Sequence, residues 1–477
     1  MFKRNAAPMA RRRKALFRAD KSSGKVRVKL EPSLASPVAA QTPKRTSTPR
    51  VRTTRKNDRQ TPAAAPSIVK TVNKSAPVKP WRWLFSLAAL TTSVAWPVSL
   101  SGLEYTREQI WGVDQAMVAQ ALDQHVRDGS LPTSLELSTG NKSYNSKIQY
   151  SIDPKLQGTV QRLLRKYGPD YGAFVALEPE TGRVLAMASY NRAGRDVGNL
   201  ALQNTFPAAS VFKVVTAAAA IDQGKANYAT VLPFNGKSTS LYKSNVLKHK
   251  TTKWTRKPTL RSAFAKSINT VFARLGIYQI GSETLEEYAH RFGFNNDING
   301  DIPVNPGTTA IDHDDDWSVA EAASGYTRSN TMSPLQGAMI AATIVNDGKM
   351  VKPYLVESVN NEHGILLYAA EPEKFNQVVS SRTASQMRIL MRETVKSGSA
   401  RKSFRKFFKG DMAQADVGGK TGTLNGFQPK GTYDWFVGYG EVNGKKIAYA
   451  AMCINVEKWY VKSSNLARMV LESYFEA

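Results

Sequence analysis

The stretch GAFVALEPETGRVLAMAS, residues 172–189, predicts a β-hairpin. Two apolar runs, 172–177 and 183–189, flank the turn sequence EPETG, which combines proline and glycine as turns between strands do. Helical patterns dominate from residue 210 to about 392, and strand patterns return at 417–423, 433–442 and 446–456. Strands at both ends around a helical middle favour an α+β fold: one antiparallel five-stranded sheet flanked by helices, with an inserted helical subdomain.

Helix patterns lie on either side of these strands. Asp153-Pro154 is typical of a helix start, and the apolar positions that follow continue to Tyr167. An Asp side chain accepts from free N–H groups there, and proline suits the first turn. A last helix is predicted after residue 456, with Asn465 as its cap. We therefore place the folded domain at residues 151–477, preceded by a short helical and irregular segment at residues 104–150.

Residues 83–103 are predicted to be a transmembrane anchor. These 21 residues carry no charged side chain, and as a helix they would span about 31 Å, enough for the hydrocarbon core of a bilayer. Tryptophans near both ends fit the membrane–water interface. The alternatives are a buried core helix and a cleaved signal peptide. The preceding 82 residues are too many for an ordinary signal peptide, which favours an uncleaved anchor.

Residues 1–82 form a basic tail, with 22 Lys and Arg against 3 Asp and Glu, so +19 of the net +28 lies there. The tail is rich in Pro, Ala, Ser and Thr, which predicts disorder. Positive charge before the span and none just after it predicts a cytoplasmic N-terminus and an external domain. Topology and attraction to anionic lipid then account for the tail's charge, and nucleic acid is not an expected partner. The single cysteine, Cys453, lies in an alternating apolar run and is expected to be a core thiol.

Ser210 and Lys213, in the sequence PAASVFK at residues 207–213, are the first candidate catalytic pair. An apolar helical run follows them. Residues three apart on a helix share one face, so the two side chains would lie close together. A serine hydroxyl is a poor nucleophile until a base takes its proton, and a neutral lysine can be that base. The Ser-x-x-Lys pattern alone is common by chance.

Ser267 and Asn269 form a second candidate group, between two short helical patterns. Because residues two apart do not share a helix face, both can act together only on a turn, which is where the sequence places them. A hydroxyl can pass on a proton, and a carboxamide can orient a lysine and a substrate amide at once.

The third group is Lys420-Thr421-Gly422-Thr423, within a predicted strand. Alternation places Thr421 and Thr423 on one face, where their hydroxyls can hold a carboxylate, and Gly422 permits close approach of a substrate backbone. Strict alternation places Lys420 on the opposite face, from which it would have to reach around the sheet edge. The sequence leaves that question open.

These three groups, in this order, resemble the signature set of the penicillin-binding, penicillin-recognising serine enzymes. The resemblance covers roughly residues 150–475. Three further stretches resemble parts of their transpeptidase domains: IDPKLQ at 152–157, ALEPETGRVLAM at 176–187 and DWFVGY at 434–439. The resemblance implies a peptidoglycan D,D-transpeptidase, without cofactor or metal, that is acylated by β-lactams and acts outside the bacterial cytoplasmic membrane. Other cell-wall synthesis proteins are further candidate partners.

The resemblance also implies a role for each residue. Ser210 would attack the D-Ala-D-Ala carbonyl of a stem peptide with Lys213 as its general base. Ser267 would relay the proton to the leaving amine, while Asn269 and Lys420 order the network. The backbone N–H groups of Ser210 and Thr423 would form the oxyanion hole. Substrate contacts fall to the motif residues Asn269, Lys420, Thr421, Gly422 and Thr423.

Two other kinds of function are also compatible with the sequence. A D,D-carboxypeptidase or serine β-lactamase would pass the acyl group to water, although no Glu-x-x-Leu-Asn element is present and class D lactamases tend to have an apolar residue where Asn269 stands. A non-catalytic β-lactam sensor or scaffold is disfavoured because Ser210, Lys213, Ser267 and Lys420 are all intact. The roughly 50 residues between anchor and domain are too few for a glycosyltransferase domain.

Two local patterns have simpler explanations. Gly419-Lys420-Thr421 suggests a phosphate-binding P-loop, but that motif requires a glycine at position 414, which is Gln414, and a following helix. The acidic run DHDDD at residues 312–316 lacks a recognised ligand spacing and predicts a solvated loop rather than a metal site.

Overall fold

We analysed a computed structural model of the chain, which describes residues 111–139, 142–248, 250–298 and 300–476. The predicted basic tail (1–82) and transmembrane anchor (83–103) lie outside these residues. Within the ranges that are described, no helix is both long and apolar enough to cross a membrane.

The helices, numbered in chain order, are α1 (Gln115–Asp128), α2 (Pro154–Tyr167), α3 (Lys213–Asp222), α4 (Lys243–Val246), α5 (Leu260–Ala265), α6 (Asn269–Leu275), α7 (Ser282–Arg291), α8 (Asp316–Ser324), α9 (Pro334–Val345), α10 (Ser381–Lys396), α11 (Arg401–Phe404) and α12 (Ser463–Phe475). The strands are β1 (Ser134–Thr139), β2 (Lys142–Tyr150), β3 (Tyr171–Leu177), β4 (Val184–Asn191), β5 (Phe206–Pro207), β6 (Thr331–Met332), β7 (Lys349–Val351), β8 (Val356–Asn361), β9 (Leu366–Ala369), β10 (Lys374–Gln377), β11 (Asp416–Phe427), β12 (Lys430–Val442) and β13 (Lys445–Asn455).

A five-stranded antiparallel sheet with the order β11-β12-β13-β3-β4 organises the domain. The predicted hairpin supplies β3 and β4, and the three C-terminal strand patterns supply the other three strands. Strand β11, which carries the Lys420 motif, is an edge of this sheet. The α+β fold with one antiparallel sheet built from both ends of the domain is therefore confirmed.

Both faces of the sheet are covered, so its central strands are buried on two sides. Trp435, Val437 and Tyr439 of β12 pack into a large core together with α9, every residue of which is buried. The alternate position, Phe436, packs into a second core with residues of α2 and α12. The period of two along a strand separates the two cores, since successive side chains point to opposite faces.

The helix boundaries show where local sequence signals predicted a helix start correctly and where they did not. The carboxylate of Asp153 accepts from the Lys155 and Leu156 N–H groups, at 2.9 and 3.0 Å, as predicted for the start of α2. The prediction of Asn465 as the cap of the last helix is wrong, because α12 begins at Ser463. The Ser463 N–H donates instead to the carboxylate of Asp434 on β12, at 2.7 Å, a partner that no local pattern reveals.

The segment before residue 151 differs in part from its prediction: its helical part is present as α1, but the remainder is not irregular. Residues 134–139 and 142–150 are paired strands rather than irregular chain, and β2 joins β8 and β9 in a four-stranded sheet. Val113, Val118 and Leu122 pack into the larger core. Strands β6 to β10 also interrupt the region that was predicted to be mainly helical.

Candidate active site

Ser210 lies in a single turn of 3-10 helix, Ala209–Phe212, and α3 begins at Lys213. The preceding residue, Ala209, has a φ of +49°, a left-handed conformation that is uncommon for residues other than glycine. A Cβ atom on Gly325 would lie 2.0 Å from the Ala209 carbonyl oxygen. Only glycine at position 325 therefore leaves room for the turn that presents Ser210.

Lys213 is completely buried and its amine has three hydrogen-bond partners. The Nζ atom lies 2.7 Å from Ser210 Oγ and 2.8 Å from Asn269 Oδ1, and it also donates to the Ser324 carbonyl at the end of α8. These three contacts hold the amine in one position, directly beside the serine hydroxyl.

The electrostatic environment favours the neutral form of Lys213. Burial removes water from the ammonium, and the positive charge of Lys420 adds repulsion, so the pKa of Lys213 is well below its ordinary value. None of its three hydrogen-bond partners is a carboxylate. A neutral amine 2.7 Å from a serine hydroxyl can accept the hydroxyl proton as the oxygen attacks.

Ser267 and Asn269 occupy the turn between α5 and α6. Ser267 has a φ of +54°, and Asn269 is the first residue of α6. The Asn269 side chain donates to the Thr239 carbonyl at 2.9 Å, while its Oδ1 atom accepts from Lys213. The carboxamide therefore joins the lysine to the loop that contains Thr239.

Lys420 also is completely buried, although it lies on an edge strand. Its Nζ atom is 2.9 Å from Ser267 Oγ and 2.9 Å from the Thr421 carbonyl. Burial lowers the pKa of Lys420 to about 7. The question that alternation left open has a structural answer: the long side chain of Lys420 reaches Ser267 and belongs to the same site.

The remaining motif residues continue along β11. Thr421 Oγ1 lies 2.6 Å from Ser399 Oγ, and Thr423 is exposed. A Cβ atom on Gly422 would be 3.1 Å from Val211 Cγ2 and 3.3 Å from the Ala208 carbonyl. The edge strand thus packs directly against the turn that bears Ser210, which brings all three predicted groups to one junction.

Comparisons with known proteins agree with this geometry. Residues 172–472 match the penicillin binding protein transpeptidase domain. The chain belongs to the penicillin-binding protein transpeptidase family. The match covers well over half of the chain and contains every candidate site residue.

The peptidoglycan D,D-transpeptidase PbpA of Mycolicibacterium smegmatis is 29% identical over 347 residues, which cover 66% of this chain and 68% of the relative. The D,D-transpeptidase domain of a peptidoglycan glycosyltransferase from Eggerthella lenta has a TM-score of 0.57 and is 28% identical, over 70% of this chain and 83% of that structure. The imipenem acyl-enzyme complex of penicillin-binding protein A from M. tuberculosis has a TM-score of 0.57 at 26% identity, over 69% and 80% of the two chains.

The sequence patterns did not predict four residues that contribute to the site: Ser324, Gly325, Thr239 and Ser399. Ser324 supplies a backbone carbonyl, which any residue type could supply, so no sequence signal exists for it. Gly325 follows α8 with a φ of +63°, and a glycine after a helix end was the one available signal. Thr239 and Ser399 contribute single hydrogen bonds from loops. The acidic run does not form a ligand cluster: within the residues described, no group of three His, Cys, Asp or Glu could hold a metal ion.

Proposed function

We propose that this chain is a peptidoglycan D,D-transpeptidase that cross-links stem peptides through an acyl-enzyme on Ser210, and that β-lactams acylate the same atom. The observation that carries the proposal is the position of Lys213, a completely buried amine with a depressed pKa, 2.7 Å from Ser210 Oγ. Family membership and the relatives named above support the choice of substrate.

In the acylation step, Ser210 Oγ bonds to the carbonyl carbon of the penultimate D-Ala while its proton passes to Lys213. The resulting oxyanion is stabilised by the backbone N–H groups of Ser210 and Thr423. The C–N bond to the terminal D-Ala then breaks, and the leaving nitrogen takes a proton through Ser267, which Lys420 orients at 2.9 Å. The products are free D-Ala and an ester on Ser210.

In the transfer step, the amine of a second stem peptide attacks the ester carbonyl. Its proton leaves through the same network, the ester C–O bond breaks, and Ser210 Oγ is protonated again. An amide now links the two peptides. In the substrate complex, the hydroxyls of Thr421 and Thr423 and the charge of Lys420 bind the terminal carboxylate, while Gly422 permits close approach of the peptide backbone.

We also propose the arrangement that the charge pattern predicts: tail 1–82 in the cytoplasm, a single transmembrane helix at 83–103, and the catalytic domain outside the bacterial cytoplasmic membrane. The relevant support is the uncharged run after Arg82 and the excess of basic residues before it.

The first experiment is intact-mass spectrometry of the full chain with benzylpenicillin, followed over hours. A single persistent adduct that maps to Ser210 is expected, and Ser210→Ala should form none while unfolding at an unchanged temperature. An adduct that disappears as penicillin is consumed would instead identify a lactamase. Absence of any adduct would leave a scaffold role, and an adduct on Ser210→Ala would refute the choice of nucleophile.

A second experiment separates transpeptidase from carboxypeptidase. Stem pentapeptides are supplied with and without an acceptor amine, and the released D-Ala and the cross-linked dimer are quantified. A transpeptidase forms dimer when the acceptor is present, whereas a carboxypeptidase releases D-Ala at the same rate without it and forms no dimer.

A further inference from the structure

The chain has no Asp or Glu between Asp222 and Glu283, an interval that contains eight Lys and three Arg. Its two ends are ordinary helices, α3 and α7. A like-signed segment of this length is unfavourable in isolation because its charges repel one another. Positive charge on a surface beside an active site attracts anionic ligands.

Five exposed residues of this interval define what we call the basic rim: Lys237, Lys250, Lys253, Trp254 and Lys257. None of the four lysines forms an ion pair with a carboxylate in the parts of the chain that the structure describes. Trp254 is 78% exposed. An indole that is almost wholly in water has no role in a core, whereas tryptophan is enriched at the centres of binding surfaces.

The loop that carries Lys237 is hydrogen-bonded to Asn269 of the catalytic group. Lys237 is followed by Ser238 and Thr239, whose carbonyls accept from the backbone and side-chain amides of Asn269, both at 2.9 Å. Since three residues span at most about 11 Å, Lys237 lies within one stem-peptide length of the amide that holds Lys213.

The other rim residues are tied to the same loop. The Asn235 side chain donates to the Lys250 carbonyl at 2.9 Å and accepts from Thr255 Oγ1 at 2.9 Å. Phe234 and Arg256 exchange backbone hydrogen bonds at 2.9 and 3.0 Å. These contacts hold the two arms of the loop side by side, so their positive charges form one surface rather than two separate strands.

Trp254 is presented by a tight turn. The Thr252 N–H donates to Thr255 Oγ1 at 2.8 Å and the Trp254 N–H donates to Thr252 Oγ1 at 3.2 Å. Lys253 Nζ lies 5.3 Å from the centre of the indole ring. The turn therefore offers an aromatic face and a cation together.

The acidic run at residues 312–316 lies toward one end of this loop. Lys243, outside the rim, lies over the ring of Trp317 at 5.4 Å, which brings the acidic run 312–316 toward that end of the loop. Asp315 is already used as the cap of α8, accepting from the Trp317 N–H at 2.9 Å. Among the described residues, no carboxylate lies within ion-pair distance of the four rim lysines.

We propose that the basic rim binds a carboxylate-bearing peptidoglycan strand, with the lysines contacting free carboxylates of its stem peptides and Trp254 packing against the strand. This inference rests on the proposed function. Continuity with the catalytic group favours this occupant. A strand bound at Lys237 lies beside Thr239 and Asn269, and therefore beside the stem peptide that is being acylated. A membrane or a phosphate polymer has no need to lie there. Charge complementarity also makes binding sensitive to salt.

The test measures binding of the full chain to soluble peptidoglycan strands from which the terminal D-Ala residues have been removed, so that Ser210 cannot be acylated. In the test variant, Lys237, Lys250, Lys253 and Lys257 are each changed to Gln. We expect the dissociation constant to rise at least tenfold in low salt and the salt dependence to weaken. Trp254→Ala should weaken binding severalfold. Strands with amidated carboxylates should bind the unaltered chain as poorly as free-carboxylate strands bind the test variant.

The matched control changes four exposed lysines elsewhere, Lys147, Lys155, Lys349 and Lys374, to Gln, with the same change in net charge. Its dissociation constant should stay within twofold of the unaltered chain, and benzylpenicillin should acylate all three proteins at rates within twofold. Equal losses in both variants, or equal binding of amidated strands, would overturn the proposal.

Tighter rim-dependent binding to a glycerol-phosphate polymer or to phosphatidylglycerol vesicles than to the strands would also overturn it, in favour of that occupant. Failure of benzylpenicillin to acylate the unaltered chain would refute the proposed function instead, and is recorded separately from the binding contrast.

Discussion

The turn that carries Ser210 and the edge strand that carries Lys420 each bury one lysine completely, but they do so by different means. Lys213 is three residues from its serine, on the same turn of chain. Lys420 meets its serine, Ser267, across 153 positions of sequence. Both amines have hydroxyl and carbonyl partners and depressed pKa values.

The local pair and the distant pair serve two different requirements of acyl transfer. The local pair must transfer one proton over one short contact between neighbours in the chain, and Asn269 and Ser324 hold the lysine in place for it. The distant pair must align a relay with a bound substrate, which depends on how the edge strand packs against the α5–α6 turn. We therefore expect damage at the local pair to be larger than damage at the distant pair.

The largest expected effect is that of Lys213→Ala. General base catalysis contributes about 10²–10⁴-fold, so the second-order rate of acylation by benzylpenicillin should fall by about 10³-fold. The exposed Lys225→Ala variant, on the loop that follows α3, is the control and should react at the normal rate. Rates are measured by intact mass or stopped-flow fluorescence. A loss below tenfold would mean that another group is the base.

A smaller effect, about 10²-fold, is expected for Ser267→Ala and for Lys420→Ala, at the low end of what one proton-transfer group contributes. Because the two side chains form one hydrogen-bonded pair at 2.9 Å, the double variant should be little slower than the worse single variant. The same acylation assay gives all four rates. Losses that multiply in the double variant would show that the two residues act independently.

Two glycines, Gly325 beside the Ser210 turn and Gly422 on the edge strand, test how far acylation depends on the space around the backbone. In Gly325→Ala the new Cβ would meet a backbone oxygen at 2.0 Å, at a φ of +63°, whereas in Gly422→Ala it would meet a movable methyl group at 3.1 Å. We expect the first to slow acylation at least tenfold and to lower the unfolding free energy by about 2 kcal/mol, and the second to slow it severalfold.

Gly224→Ala supplies the control for Gly325→Ala, since Gly224 has a similar φ of +67° and open space around it. It should lose only the part of the stability that backbone strain accounts for, about 1 kcal/mol, and keep the normal acylation rate. Equal acylation in all three variants would show that the Ser210 turn does not depend on the space at position 325.

The smallest expected effect concerns stability. Lys420 has a pKa of about 7 in the folded chain and about 10.5 in the unfolded chain, so between these values the unfolded state binds a proton that the folded state does not. Stability should therefore rise as pH increases from 7 to 9. For one proton the slope is at most about 1.4 kcal/mol per pH unit.

Lys420→Met should reduce that slope, as measured by urea unfolding at pH 7, 8 and 9, while Lys213 continues to contribute in the same direction. The buried carboxyls Asp301 and Asp434, with pKa values raised to about 7 and about 6, titrate mainly below this window. An unchanged slope in the variant would mean that Lys420 stays charged in the folded chain.

Sequence patterns were sufficient where structure is local. The hairpin at 172–189 and the Asp153 cap were predicted because turn residues and capping side chains act on neighbours a few positions away. The cap of α12 was missed because it comes from Asp434 on another element. The strands between residues 331 and 377 were missed because they are short and pair with one another or with distant partners.

By itself, the sequence determined the antiparallel α+β fold and the identity of the motif residues, since both follow from the order and period of residues along the chain. Three features of the site depend on packing between distant parts of the chain: Lys420 turns toward Ser267, Asn269 holds Lys213, and the carbonyl of Ser324 and the open position of Gly325 complete the site. The physical reason is that burial and hydrogen bonds between distant residues set the position and the pKa of each lysine. Those quantities depend on which surfaces pack together, not on neighbours in the chain.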